Sequence, residues 1–417
     1  MSVRPVQGRN KTAIYAVSQD LLRSSCSLLN ACCPAGVATT NGDFHSTNSI
    51  WITIGRSVPN KLQSALVTMT GPYYTIGLVC ALPTELAAAT AILDEEHQNL
   101  PRDANDTNIY SFGRIGKHNV VIACLPAGQV GMNSAAAVAA QMRSKFVFIR
   151  FGLMVGIGGG VPNAESDIRL GDVVVSQPYM QYGGVVQYDR GKTGTLFTRT
   201  GSLNSPPVVL LNALAKLQWN HLIGQSNLST HPSRIVSFHP HFAPEKTRSD
   251  LLFESSYRHI EEQTCDKCSK ERLVKRSPRG REEIKVHYGT IASGSPVMKD
   301  GVTRDTLSRE LGGVLCFEME AARLMNDFPC LAIRGISDYA DSHKNKTWQP
   351  YTAATAAACA KDLLSLVPPA EIIKAHTMNE ATVEGATQGT TIFSGSNNAQ
   401  KIYQFGTRMG DGNFTLS

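Results

Sequence analysis

Four acids in three short blocks stand where a chain could do bond-breaking chemistry. They are Glu85 in IGLVCALPTELAAA (residues 76–89), Glu318 and Glu320 in CFEME (316–320), and Asp338 in RGISDYAD (334–341). Breaking a ribose–base bond builds positive charge on the sugar and negative charge on the departing base. An acid at the base and a carboxylate holding a nucleophilic water therefore lower the barrier. Asp338 follows the apolar run LAIRGIS, whose desolvation would keep it protonated near neutral pH. Each acid also has a plainer reading: Glu318 as a structural carboxylate, and Glu85 as a solvated acid in the first turn of a helix.

Those acids need elements to hold them. From Tyr73 the sequence alternates short β-rich runs with Ala-rich helical stretches. Strands are expected at YTIGLVCAL, NVVIACLPA, GLMVGIGG, DVVVSQP, YGTIASG and CLAIRGIS. Helices are expected at SAAAVAAQM, PVVLLNALAKLQW and YTAATAAACAKDLLSLV. The alternation specifies an α/β fold with helices on both faces of a sheet. MVGIGGGVP (154–162) places a glycine cluster, including Gly158 and Gly159, directly after a strand, where a flat ligand could approach the backbone. A dinucleotide fingerprint is excluded, because no G-x-G-x-x-G opens a helix and RLGDVVVSQ follows at once as another strand. A tight structural turn explains the cluster equally well.

Around this core the chain is expected to have three parts. Residues 1–72 show little periodicity and read as a poorly ordered extension. Arg4, Arg9, Lys11 and Arg23 against the single acid Asp20 permit a targeting leader there, and Met69 reads as an alternative natural start. Residues 73–370 form the α/β domain, interrupted at about 225–286 by a charged insertion read as a surface excursion. Residues 371–417 are Thr-, Gly-, Asn- and Gln-rich and read as a flexible tail. The insertion contains CDKC (Cys265 to Cys268), a single C-x-x-C without a second pair, so no metal ligand set is assigned. Ten scattered cysteines in 417 residues fit reduced thiols in a cytoplasmic compartment. A net charge of +6 is too mild to mark a nucleic-acid binder, and no apolar run is long enough for a membrane span.

The ordered set IGLVCALPTE, VGIGGG…LGDVVVS, ASGSPVM, FEMEAA and RGISDYAD resembles the purine and uridine phosphorylase superfamily. That superfamily also contains the methylthioadenosine/S-adenosylhomocysteine nucleosidases. The resemblance runs from about Tyr73 to Pro369 and is nearest to fungal nucleoside-phosphorylase-like domains, found alone or fused to modules of immune-type receptors. It implies a three-layer mixed sheet flanked by helices, a homo-oligomer, and no cofactor. It also implies roles: Glu320 would bind the ribose hydroxyls with Met319 packing under the sugar. Asp338 would protonate the purine at N7 with Ser337 helping to hold the base, Gly158, Gly159, Val297 and Met298 would contact the base, and Glu85 would activate water.

The sequence departs from the family's phosphorylases at their phosphate-binding positions. CALPTEL follows the first strand where an Arg is expected, and Met154 and Ile157 stand where an Arg and a Ser would be, which removes the charge that binds phosphate. Water is then the expected nucleophile. Trp348 matches an aromatic residue of the nucleosidases' 5′ pocket, while His343, Lys344 and Lys346 suit an anionic 5′ substituent. The expectation is a nucleosidase releasing adenine from adenosine or a 5′-phosphorylated adenosine such as ATP. The alternatives are a phosphate-dependent phosphorylase and a non-catalytic signalling scaffold acting through a partner at the C-terminal tail.

Overall fold

The structure, a computed structural model, describes residues 73–369 except 102, 194–196, 226–227, 229, 244–249, 261–263 and 280–283, and the backbone of three earlier strands. These three, β1 (Ala13–Ser18), β2 (Ala38–Thr40) and β3 (Ser49–Ile54), pair antiparallel in the order β1-β3-β2. They lie in the stretch whose little periodicity reads as a poorly ordered extension, and they form a separate unit. The expected C-terminal tail lies outside the described residues.

The larger unit is built on an 11-stranded mixed sheet. Its strands are β4 (Ile76–Cys80), β5 (Glu95–Glu96), β6 (Tyr110–Ile115), β7 (His118–Cys124), β8 (Phe151–Gly160), β9 (Val173–Ser176) and β10 (Val185–Gln187). A small hairpin, β11 (Gly191–Thr193) with β12 (Phe197–Arg199), stands apart. The sheet is completed by β13 (Val286–Gly289), β14 (Ile291–Ser293), β15 (Cys316–Glu318) and β16 (Cys330–Asp338). The helices are α1 (Pro83–Ala91), α2 (Met132–Lys145), α3 (Val208–Leu222), α4 (Thr230–Phe238), α5 (Gly301–Glu310), α6 (Ala321–Asp327) and α7 (Gln349–Ser365).

Strand β8 is the axis of the site. It runs parallel to β4 and β16, and near its C-terminal end it meets β15 antiparallel, with Phe317 opposite Gly159. All three central strands, β4, β8 and β16, are buried nearly throughout, which is why they read as continuous apolar runs rather than alternating ones. The register of β16 on β8 shifts between Ile336 and Asp338. Such a bulge re-aims a side chain at a strand end. Helix α7 packs so closely on β16 that a Cβ on Gly335 would collide with the Thr352 carbonyl oxygen. Its run of alanines, Ala353 to Ala360 with few interruptions, is buried on all sides and permits that approach.

The insertion is not the surface excursion its charge suggests. Helix α4 buries Ile235, and Phe242, Leu252 and Phe253 are also buried. Two of its arginines are tethers: Arg276 donates to the Tyr339 hydroxyl at 2.9 Å and to Asp250 at 2.8 Å, and Arg279 donates to Asp172 at 2.8 Å. Basic residues spaced through a polar segment cannot reveal partners 26 to 107 residues distant, so their pairing stays hidden in the sequence.

Candidate active site

Strand β4 ends at Cys80, and Pro83 sits at the start of α1, a position its fixed φ suits. Glu85 then falls in the first helical turn and reaches back over it. Its Oε2 accepts from the N–H groups of Ala81 at 2.6 Å and Leu82 at 3.0 Å, and its Oε1 accepts from the Ile157 N–H of β8 at 2.8 Å. A carboxylate has about four acceptor positions, so three N–H bonds leave one for a water. Gly156 makes this approach possible, since a Cβ there would lie 2.5 Å from both Glu85 Oε1 and Arg334 Nη1.

Glu320 stands between β15 and α6 and accepts from the Gly131 N–H at 3.2 Å. Gly131, with φ of 98°, precedes the first residue of α2, so the carboxylate meets a helix N-terminus. Beneath both glutamates lies Arg334, fully buried in β16. It pairs closely with Glu318 and, at 3.3 Å, with Glu320. Glu318 also accepts from the Ala321 N–H at 2.9 Å, so the acid read as structural anchors the guanidinium and the turn together.

Three buried carboxyls thus surround one buried guanidinium, and charge balance forbids ionising all three cheaply. Burial pushes Glu320 up to about 7, with Arg334 opposing and the neighbouring Glu318 and Glu85 adding to it. Burial also raises Glu85, against the lowering pull of Arg334 and the three N–H groups. Arg334 is held more firmly cationic by its glutamates despite its burial. Sequence reasoning did not single out Arg334. The available signal was one charged residue inside CLAIRGIS, because an Arg in a buried strand needs partners.

Asp338 sits just past the β16 bulge. Its Oδ1 accepts from the Ala340 N–H at 3.0 Å, and its Oδ2 accepts from the Ser337 hydroxyl at 2.9 Å. Lys344 places its ammonium 3.2 Å from the same Oδ2. The carboxyl therefore faces a cation, rather than the purely apolar surroundings the preceding strand implies.

These groups open onto one cavity of about 330 Å³, within the range of small-molecule sites. Its wall includes every residue the sequence nominated except two: Glu85, Gly158, Gly159, Val297, Met298, Met319, Glu320, Ser337, Asp338, Lys344 and Lys346. One nominee off the wall is His343, its ring stacked on Phe253, and the other is Trp348. Trp348 stands at the start of α7 with its ring 6.0 Å from that of Tyr351 and near Gly171, off the cavity wall. Val130, Phe317 and Gln349, which the sequence did not suggest, contribute to the wall instead. Met154 is buried core, and Ile157 lines the cavity while its N–H serves Glu85. Arg190 lines a different groove with Tyr182 and Arg199.

The chain belongs to the phosphorylase superfamily, whose family model matches residues 75–367. It is 46% identical over 309 residues to a nucleotide-binding leucine-rich repeat (NLR)-like protein of Hyaloscypha variabilis, covering 73% of this chain. The match spans only 30% of that relative's length. It is 24% identical over 304 residues to a 5′-methylthioadenosine/S-adenosylhomocysteine nucleosidase of Mycobacterium tuberculosis, covering 70% of this chain and 97% of the relative. Among solved structures it is similar to futalosine hydrolase of Helicobacter pylori, with a TM-score of 0.46 and 16% identity over 70% of this chain and 97% of the other. The methylthioadenosine/S-adenosylhomocysteine nucleosidase of the same organism gives a TM-score of 0.46 and 15% identity, covering 70% and 99%. No helix among the described residues is long and apolar enough to cross a membrane.

Proposed function

We propose that this chain is a purine nucleosidase that hydrolyses the N-glycosidic bond of adenosine or a 5′-phosphorylated adenosine such as ATP and releases adenine. The observation that carries the reading is Glu85, a buried carboxyl on the cavity wall with three acceptor positions filled by backbone N–H groups and one remaining. A water there would lose its proton to Glu85 as its oxygen bonds to the anomeric carbon. Glu320 would hold the ribose hydroxyls, and Asp338 would supply the proton that the departing base takes up.

Water is favoured over phosphate as nucleophile by the charge around Glu85. Arg334, the nearest cation, is committed to Glu318 and Glu320, and the lysines on the wall belong to the Asp338 loop. The name of the mycobacterial relative points the same way. Lys346, which makes no ion pair among the described residues, supports an anionic 5′ substituent. The 46% identity to an NLR-like protein favours one addition: the enzyme would serve as a signalling module, with partner contacts made elsewhere and copies assembling as a homo-oligomer.

Chromatography of the products from adenosine, inosine, methylthioadenosine and ATP, each with and without inorganic phosphate, tests this reading. Adenine released equally without phosphate, and lost in Glu85→Gln, is the expected result. Release only with phosphate makes the chain a phosphorylase, and no release from any substrate leaves the scaffold reading.

A further inference from the structure

The C-x-x-C pair of the insertion is not two isolated thiols. Cys265 and Cys268 sit on one turn, with the Cys268 N–H donating to the Cys265 carbonyl at 3.1 Å. His259 joins them, and one ligand atom from each of the three lies within 4.8 Å of the others. Ligands around a tetrahedral zinc stand roughly 3.3–3.8 Å apart, given Zn–S near 2.3 Å and Zn–N near 2.0–2.1 Å. Only a small contraction separates the observed group from that geometry. His259 also meets the Thr264 carbonyl through Nε2 at 3.2 Å, the kind of outer contact that orients a metal-bound imidazole.

A second, independent observation points to the same place. His343 is buried, yet neither ring nitrogen has a hydrogen-bond partner among the described residues. Its nearest acid, Asp341, is 3.6 Å from Nδ1, too long for a hydrogen bond. The ring stacks on Phe253 at 4.1 Å and stands edge-on to His259 at 5.3 Å between centroids. Buried polar groups are normally satisfied, so an imidazole left this way beside His259 lacks a partner that a cation would supply. Its nitrogens are not among the atoms within 4.8 Å, so the ring would move inward to complete the ligand set.

We propose that His259, Cys265, Cys268 and His343 bind a zinc ion in a closed, structural site. Two sulfur and two imidazole donors in tetrahedral array select zinc among common divalent ions. Binding releases the two thiol protons to solvent and leaves both imidazoles neutral. Three ligands come from the insertion and the fourth from the segment after β16, so the ion clips the insertion to the loop that carries Lys344. The His259 N–H already bonds the Ser342 hydroxyl at 2.9 Å across this junction. This assignment does not depend on the catalytic reading above.

Metal analysis of the reduced full-length chain, purified without chelator, should find close to one zinc per chain. Replacement by cobalt(II) should give thiolate-to-metal charge-transfer absorption together with the visible bands of a tetrahedral ion. The double change Cys265→Ser and Cys268→Ser should abolish uptake, and His343→Ala, which removes a direct ligand, should weaken affinity by more than the roughly 10–100-fold that follows loss of an outer-shell partner. If the double variant fails to fold, competition between the native chain and a chromophoric zinc chelator reads the affinity directly. Native reduced chain that takes no zinc from a buffered zinc solution overturns the site. Unchanged affinity in His343→Ala removes His343 from the ligand set.

Discussion

Lys344 and the Ser337 hydroxyl share one oxygen of Asp338, at 3.2 Å and 2.9 Å. A purine bound at this carboxyl through N7 would have to compete with that ammonium or be served by it. The two lysines of the loop therefore divide. Both line the cavity, but Lys344 pairs with the acid while Lys346 has no ion pair among the described residues.

That division is measurable by steady-state kinetics. Lys344→Ala should lower kcat about tenfold for adenosine and ATP alike, because Lys344 sits against the acid proposed to meet the base. Lys346→Ala should raise KM for ATP about tenfold and change adenosine by less than about twofold. A Lys344→Ala effect confined to ATP would return that lysine to the phosphate.

Glu85→Gln should reduce kcat by roughly 10²–10⁴-fold, the range of a lost general base. The amide has one acceptor oxygen where the carboxylate has two, so its NH₂ must face either Ile157 N–H or the Ala81 and Leu82 N–H pair. A stability loss of about 1–3 kcal/mol should accompany it in denaturant titration. Full activity in the folded variant would exclude Glu85 as the base.

Proton binding in the cluster sets two pH dependences. A carboxyl raised on folding keeps its proton in the native state while the unfolded chain has lost it, so stability declines as pH rises across that window. For Glu320 the window runs from the ordinary 4.5 to about 7. Thermal melts of Glu320→Gln should show a flatter decline there than the parent. Activity runs the opposite way: the acid limb of kcat/KM should lie above the ordinary glutamate range, because burial raises Glu85 and it must be ionised to accept a proton.

Arg334→Met should destabilise by about 3–5 kcal/mol, since it strands buried carboxyls without their cation. Gly156→Ala is the milder companion. Its Cβ would press on both Glu85 and Arg334, so activity should fall more than stability. Chemical denaturation beside kinetics separates the two, and a Gly156→Ala protein of native activity would show that the contact has slack.

The sequence made much of this site legible because its acids lie at the ends of strongly periodic elements. Glu85 follows a buried strand, Glu320 precedes a helix, and Asp338 closes the apolar strand CLAIRGIS. What it concealed depends on distant pairing. Arg334 gains meaning only when β16 lies against β8 beneath Glu318 and Glu320. Trp348 was misplaced by analogy, because position before a helix does not say which way a ring turns. Arg276 and Arg279 read as solvent-facing charges until Tyr339 and Asp172 stand opposite them.

The glutamates take their backbone contacts from the central sheet and from the turns and helix starts that follow its strands, while Val297, Met298, Lys346 and Gln349 reach the cavity from loops and a helix end. In the proposed mechanism, water activation and ribose binding would rest on the first set and substrate choice on the second. Under that proposal, drift in a handful of rim positions would alter which nucleoside is taken while leaving Glu85, Glu320 and Arg334 in place.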